Sequence, residues 1–424
     1  MTAVTVKTDF PGERFLTRGE FFLLGGFLLF LPLAEAPKNL FLFGLFGYWA
    51  YGSATAKNFG VGTKAFEWPL LAIFLMSLVP VFQREAEHIR ALNNCVDFCS
   101  IVLLTILVGR SRLHQRQAHW LAVWAMVGVG SAVAYGVWRG GQFPSLHSVG
   151  HINQVAMYLG LMLVAASSAL MLADTMQERI TLTVASVLLA FLVVSTGSRN
   201  ALFGVALALA LALILMPASV YAAGMRHRAL VAGLVLLLVF IAAAVYRPPA
   251  LVKQINQTAS NQSIVDNARQ SLWRSSYLVA KQAPLFGYGV GFFGEGHTPT
   301  RVEELVVESG HPFERNRYVW TNHAHNLVMN WLVERGWIAT AVLLTWIFYV
   351  FVLLASAMIR RGGVVRNGPL SDYAGLMVLS ATVFFGLGNT SWHHEHGLLA
   401  GLIIGVAWSL RNAPSPSSLL LRLD

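Results

Sequence analysis

Residues 337–359 read WIATAVLLTWIFYVFVLLASAMI and contain no Asp, Glu, Lys or Arg. The hydrocarbon core of a bilayer requires about 20 apolar residues per helix, so this run predicts a transmembrane helix. Comparable runs lie near 21–36, 39–53, 66–83, 94–109, 119–138, 152–173, 180–196, 200–216, 229–246, 374–391 and 396–411. The pattern predicts an all-α polytopic membrane protein with about twelve transmembrane helices.

The composition supports this fold class. The chain has 424 residues, of which 56% are hydrophobic and 12% charged, with a mean hydropathy of +0.59. Soluble domains are roughly 45–50% apolar and about 25% charged, so a cytosolic enzyme is excluded. The net charge of +10 would suggest nucleic acid in a soluble protein, but membrane proteins collect Lys and Arg in cytoplasmic loops. We therefore expect the lipid bilayer as a partner and no nucleic acid.

The basic residues beside the spans predict an orientation. With the N-terminus inside, sixteen Lys and Arg residues flank the spans on the inner side. The short outer segments hold six, namely Lys38, Arg84, Arg90, Arg139, Arg199 and Arg335. Because cytoplasmic loops are enriched in Lys and Arg, both termini are predicted to be cytoplasmic.

The runs divide the chain into three parts. Residues 1–246 hold predicted transmembrane helices one to nine, 247–322 form a long polar loop on the outer side, and 323–424 hold a helix entry and helices ten to twelve. Long loops without function are uncommon in compact folds. Apolar positions at helical spacing, from Ile264 to Val279, predict a short amphipathic helix over 264–283.

Unusual polar residues are predicted to gather on the outer face. They are Glu35, Arg139, His147, His151, Arg199, residues 247–322, His323, His325 and the run His393-His394-Glu395-His396. A random loop composition would spread such residues over both faces. This convergence indicates an outward-facing site.

His323 and His325 are the candidate proton acceptors. Asn322 is a plausible N-cap for the tenth span, which would put both histidines in the first helical turn. The dipole of a helix N-terminus attracts anions and disfavours imidazolium, so a histidine there stays neutral and can act as a general base. The alternative is a histidine that is only hydrogen-bonded at the membrane interface.

Three arginines are candidate phosphate ligands. Arg199 follows Thr196-Gly197-Ser198 between the seventh and eighth spans, and Arg269 and Arg274 lie on the predicted loop helix. Guanidinium groups bind phosphate oxygens in a bidentate manner, although a single arginine can instead extend to lipid head groups. The chain has no D-x-D motif, the usual carboxylate pair that holds a metal–nucleotide sugar. The cluster His393–His396 lies at a helix start and is a weak indication of zinc binding. We expect neither a metal nor another cofactor.

Several of these motifs resemble the O-antigen ligase family. His325-Asn326, followed by nine residues and Gly336, is similar to its histidine motif, and Thr196-Gly197-Ser198-Arg199 to its span-opening arginine. The stretch from Arg269 to Trp273-Arg274, with 284–289 (PLFGYG) after it, is similar to the loop signature of the family. The likeness covers much of 196–340. One departure is Ala339, where the family usually has Gly, Thr or Tyr.

The resemblance implies a glycosyltransferase without a metal. Members transfer O-antigen from undecaprenyl diphosphate to lipid A–core on the periplasmic side of the bacterial inner membrane, with inversion. On this basis His325 is the expected general base, and Asn326 and His323 would orient it or bind the acceptor. The expected diphosphate ligands are Arg199, Arg274 and Arg269.

Other functions remain open at this point. An O-antigen polymerase and a pilin-directed oligosaccharide transferase belong to the same superfamily and differ in the acceptor. A transporter of lipid-linked glycans is the alternative from another class. A transporter would be expected to bury ionisable residues at mid-span, whereas these predicted spans are nearly free of charge.

Overall fold

The fold is a bundle of α-helices, seen in a computed structural model. The structure describes residues 14–60, 62–83, 88–113, 115–141, 143–173, 175–215, 233, 262–294, 298–315, 317–360 and 372–411. Within these residues the β-structure amounts to an isolated bridge between Phe15 and Arg112. The all-helical prediction is therefore confirmed for the described part of the chain.

The helices are named in chain order. The first eight are α1 (Arg18–Phe30), α2 (Glu35–Ala56), α3 (Lys64–Gln83), α4 (His88–Arg110), α5 (Gln115–Trp138), α6 (Ile152–Leu172), α7 (Met176–Ser195) and α8 (Arg199–Ile214). The later ones are α9 (Gln262–Gln282), α10 (Thr298–Glu308), α11 (Leu327–Arg360), α12 (Asp372–Gly386) and α13 (His394–Arg411). A 3₁₀ turn covers Phe292–Gly294, between α9 and α10.

Five of these helices, α3, α5, α6, α7 and α11, are long and apolar enough to cross a membrane, and α8 and α12 are shorter apolar helices. Each predicted span within the described residues overlaps a helix, although 21–36 runs past the end of α1 and 374–391 past the end of α12. Apart from Gly233, the predicted ninth span, 229–246, lies outside the described residues, as does the first part of the predicted loop. The predicted amphipathic helix over 264–283 is confirmed as α9.

Glycines bring α13 close to α4. Gly397, Gly401 and Gly405 follow one another at every fourth position and form a single stripe on α13. A Cβ at Gly401 would lie 2.4 Å from Thr105 Oγ1, and one at Gly405 would lie 2.7 Å from Thr105 O. Small residues allow this close packing, as in many membrane helix pairs. The contact fixes the segment before α13 relative to α4.

Ion pairs mark the two ends of the bundle. At one end Arg110 makes a bidentate contact with Glu67, at 2.8 and 2.5 Å. At the other end Lys38 on α2 pairs with Glu395 on α13 at 2.5 Å, and both side chains are buried. We call the first the basic end and the second the histidine end.

Candidate functional site

Three segments meet at the histidine end: the start of α8, the α11 entry (321–326) and the α12–α13 turn (387–393). The side-chain amide of Asn200, in the first turn of α8, donates to Phe385 O at 2.9 Å. The amide of Asn326 donates to Leu387 O at 3.2 Å. The helix that begins with the candidate arginine and the segment that carries the candidate histidine are therefore held against the same end of α12.

His325 has a constrained backbone and a specific side-chain partner. Its φ is 48°, in the left-handed region that non-glycine residues seldom adopt. Its ring Nδ1 lies 3.1 Å from Asn389 Oδ1 in the α12–α13 turn. Trp392 and His394, in or next to that turn, also have positive φ values, of 64° and 48°. Such conformations persist where the surrounding structure enforces them, and they cluster at functional sites.

The N-cap of α11 is Asn326 rather than Asn322. The backbone N–H of Met329 donates to Asn326 Oδ1 at 3.1 Å, and Asn330 N donates to Asn326 O at 3.0 Å. The prediction that Asn322 caps this helix is wrong, because the helix begins at Leu327. His323 and His325 therefore lie before the first turn, although His325 still directly precedes the cap.

His323 lies in a cluster of imidazoles. Its ring centroid is 5.3 Å from that of His393 and 6.3 Å from that of His394. Burial, reinforced by the neighbouring histidines His394, His325 and His151, lowers the pKa of His323 to about 4. The ring is therefore neutral at physiological pH. Among the described residues, no group of three or more His, Cys, Asp or Glu side chains is arranged to hold a metal ion.

The candidate arginines have different surroundings. Arg199 is the first residue of α8 and is exposed at the histidine end. Arg274 is exposed on α9. The same helix carries buried Val279 and Ala280, which pack in one cluster with Ala324 of the α11 entry. The side chain of Arg269 lies outside the described residues. The structure thus brings α9 against the histidine-bearing segment and leaves Arg274 accessible.

The loop after α9 docks on α11 where that helix is interrupted. Gly336 has φ 75° and ψ −179°, a conformation outside the helical region. The carbonyls of Val333 and Glu334 accept hydrogen bonds from Tyr288 N at 2.9 Å and Gly289 N at 2.8 Å. The loop signature and the glycine of the histidine motif therefore contact each other in the folded chain.

A buried polar network continues from this loop to the α11 entry. Glu334 Oε1 accepts from Gly291 N, and Glu334 Oε2 accepts from the amide of Asn330, both at 3.0 Å. Asn330 Oδ1 in turn accepts from Ala324 N at 3.2 Å. Ala324 directly precedes His325, so these bonds fix the docked loop relative to the candidate base.

Arg335 has a position that the sequence does not predict. Its guanidinium lies 4.5 Å from the ring of Phe98 and 4.4 Å from that of Trp331, and Nη1 lies 3.3 Å from Glu334 Oε2. The prediction that Arg335 belongs to an outer connection is wrong, because α11 already begins at Leu327. The guanidinium is thus buried in the bundle, beside one carboxylate and two aromatic rings.

The remaining predicted outer residues serve local contacts. Glu35 forms an ion pair with Lys38 at 3.3 Å. His151 caps α6, since its Nδ1 accepts from Asn153 N at 3.2 Å. His147 packs edge-on against Tyr135. Asn389 is absent from the predicted set, although its side chain contacts His325.

Together these features indicate a class of protein: a multi-pass membrane protein with a histidine- and arginine-bearing candidate site at one end of its helices. Residues 184–344 match a family model described as O-antigen ligase. The match contains Arg199, Arg274, His325 and Gly336. It confirms that this part of the chain is similar to the O-antigen ligase family. No curated protein matches the chain.

Proposed function

We propose that the protein is a membrane glycosyltransferase that moves O-antigen from undecaprenyl diphosphate to lipid A–core on the periplasmic face of the bacterial inner membrane. The observation that carries the proposal is the convergence at the histidine end. The α11 entry with His325 and the α8 start with Arg199 are both hydrogen-bonded to one end of α12 and the turn after it. This arrangement supports a base and a phosphate ligand acting on one substrate.

The proposed reaction is a single displacement. An acceptor sugar hydroxyl attacks the anomeric carbon of the donor, and its proton passes to His325. The bond between the anomeric carbon and the diphosphate oxygen breaks, and the diphosphate leaves with the electron pair. Attack opposite the leaving group inverts the anomeric configuration. The diphosphate is already a good leaving group, so the site needs positive charge near it rather than a proton donor.

Arginines supply that charge in the proposal. Arg199 and Arg274 are exposed, and guanidinium groups bind phosphate oxygens in pairs. Arg269 is a third proposed ligand on α9. His323 and Asn326 would orient the base or the acceptor. The hydrogen bonds of Asn326 to Leu387 O and Met329 N support an orienting role for this residue.

The proposed orientation puts the histidine end in the periplasm and both termini in the cytoplasm. The basic end supports it, because Arg14, Arg110 and Arg112 lie there together with Ser111 and Glu67. Lys and Arg flank membrane spans preferentially on the cytoplasmic side.

The proposal is tested with purified protein in liposomes, a lipid-linked O-antigen donor and lipid A–core acceptor. His325→Ala should lower the ligation rate roughly 100- to 10,000-fold, the usual contribution of a general base. Arg199→Ala should lower it by about 100-fold or more, as loss of a charge-stabilising group does. His119→Ala and Arg116→Ala are matched controls on exposed residues of α5 near its start, and they should retain wild-type rates.

Full ligation by His325→Ala would remove the base assignment. The same assay separates the ligase from the polymerase and the pilin-directed transferase. Product must form when lipid A–core is supplied, and must not form when it is replaced by a second lipid-linked glycan or a protein acceptor. Movement of the donor across the liposome membrane without transfer would instead indicate a transporter.

A further inference from the structure

We propose that Asn389 is a positioning residue that holds the ring of His325 in the Nδ1–H tautomer. In this tautomer the lone pair of the neutral imidazole is on Nε2, and Nε2 is the atom that takes the acceptor proton. The inference rests on the proposed function, because it assigns a partner to the proposed base.

The side-chain amide of Asn389 has a defined orientation. The backbone N–H of Thr390 donates to Asn389 Oδ1 at 2.9 Å. A backbone N–H can only donate, so its partner atom must be the amide oxygen and not the amide nitrogen. This contact settles which end of the amide is which, a choice that otherwise depends on the hydrogen-bond network.

The oriented amide of Asn389 defines the protonation of the His325 ring. The same Oδ1 atom lies 3.1 Å from His325 Nδ1. A carbonyl oxygen can only accept a hydrogen bond, so Nδ1 carries the proton. In a neutral imidazole one nitrogen donates and the other accepts, which leaves Nε2 as the basic atom. The tautomer of His325 thus follows from the contact between Thr390 N and Asn389 Oδ1, which defines the orientation of the Asn389 amide.

The turn that carries Asn389 is held firmly against the α11 entry. Asn389 is buried, and the turn that carries it is attached to the α11 entry at a second point, through Asn326 and Leu387 O. A Cβ at Gly386, just before the turn, would lie 2.9 Å from Leu327 Cβ, so the two backbones are in close contact. The α12–α13 turn therefore holds two consecutive residues of the α11 entry, and the ring of His325 has little freedom to rotate.

Measuring the tautomer of His325 tests the proposal directly. Wild-type protein with ¹³C,¹⁵N-labelled histidine in lipid nanodiscs gives ring signals by solid-state NMR, and the His325 signal is the one absent from His325→Gln. We expect the carbon and nitrogen shifts of an Nδ1–H imidazole. An Nε2–H ring in the wild-type protein would overturn the proposal, whatever the activity of any variant.

Two nearly isosteric variants test the functional consequence. Asn389→Asp keeps an acceptor oxygen and should retain kcat within about threefold. Asn389→Leu removes it and should lower kcat roughly 10- to 100-fold, by analogy with the loss of a group that orients a metal-bound histidine. KM should stay within about threefold, and the NMR signal of His325 should shift toward the Nε2–H form. Asn58→Leu, an asparagine in the turn after α2, is the control and should change neither readout.

The outcomes separate this proposal from the proposed function. If Asn389→Leu retains both wild-type kcat and an Nδ1–H ring, Asn389 is not the positioning residue. If His325→Gln retains ligation, the base assignment fails, while the wild-type tautomer still reports on the contact with Asn389. If Asn389→Leu does not fold, the tautomer in the wild-type protein and the activity of Asn389→Asp decide.

Discussion

Replacing Gly336 with alanine should release the loop 284–291 from α11. A Cβ at this position would lie 2.1 Å from Leu285 O and 2.5 Å from Gly287 N. Both atoms belong to the backbone, so no side-chain rotation relieves the overlap. The combination of φ 75° and ψ −179° is also essentially restricted to glycine.

The magnitude follows from the strain that the new Cβ adds to the docked state. Keeping the loop docked would hold alanine in a strained conformation at about 1–3 kcal/mol, before the overlap is counted. Releasing the loop relieves this strain and breaks the hydrogen bonds from Tyr288 N and Gly289 N. Relative to the released state, the docked state therefore loses at least about 1–3 kcal/mol. With a factor of ten for each 1.36 kcal/mol, the released fraction rises roughly 5- to 150-fold.

Amide hydrogen exchange measures this release directly. Exchange of the Tyr288 and Gly289 amides should speed up by the same factor in Gly336→Ala, and Gly287→Ala should do the same from the other side of the contact. Gly130→Ala on α5 is the control, since a Cβ there has no neighbour within 4 Å. Unchanged protection of the loop in Gly336→Ala would refute the reasoning.

Two further predictions concern the ends of helices at the site. Lys38→Met leaves Glu395 buried without its lysine and should lower the free energy of unfolding, measured by SDS titration, by about 3–5 kcal/mol. The double variant Lys38→Met with Glu395→Gln should recover most of this loss. Equal stability of the single and double variants would contradict the prediction. Asn326→Ala should lower the free energy of unfolding by about 1 kcal/mol for the lost cap and by about 1 kcal/mol for the lost bond to Leu387 O. Asn326→Asp should keep the contribution of the cap. Unchanged stability of Asn326→Ala would show that the cap is unimportant.

The sequence predicts the helices well because apolar length is a local property. The described spans and α9 are where their patterns indicate. The motif that contains His325 and Gly336 is also visible in the sequence. The reason why the motif requires a glycine at 336 is not visible in the sequence, because the contact between Gly336 and the loop signature exists only in the folded chain.

Other features depend on contacts that no local pattern reveals. Asn389 lies 64 residues from His325 and within the predicted run 374–391, so it reads as part of a span, whereas α12 ends at Gly386. Asn322 and Asn326 are equally good caps by residue type. The bond of Asn326 to Leu387 O, made only in the folded bundle, favours the second. Arg335 lies in α11 because this helix begins at Leu327, before the predicted run 337–359.

The position of α6 has a consequence for biogenesis. Its apolar stretch is 89% buried inside the protein, and it packs against α7, α8, α12 and α13. Two of these neighbours are the last helices that the structure describes, so they leave the ribosome long after α6 does. Until they arrive, the face of α6 that packs against them must rest against lipid or the insertion machinery. The packing of α6 is therefore completed only after α12 and α13 have been inserted, and chains truncated before α12 should be substrates for membrane proteolysis.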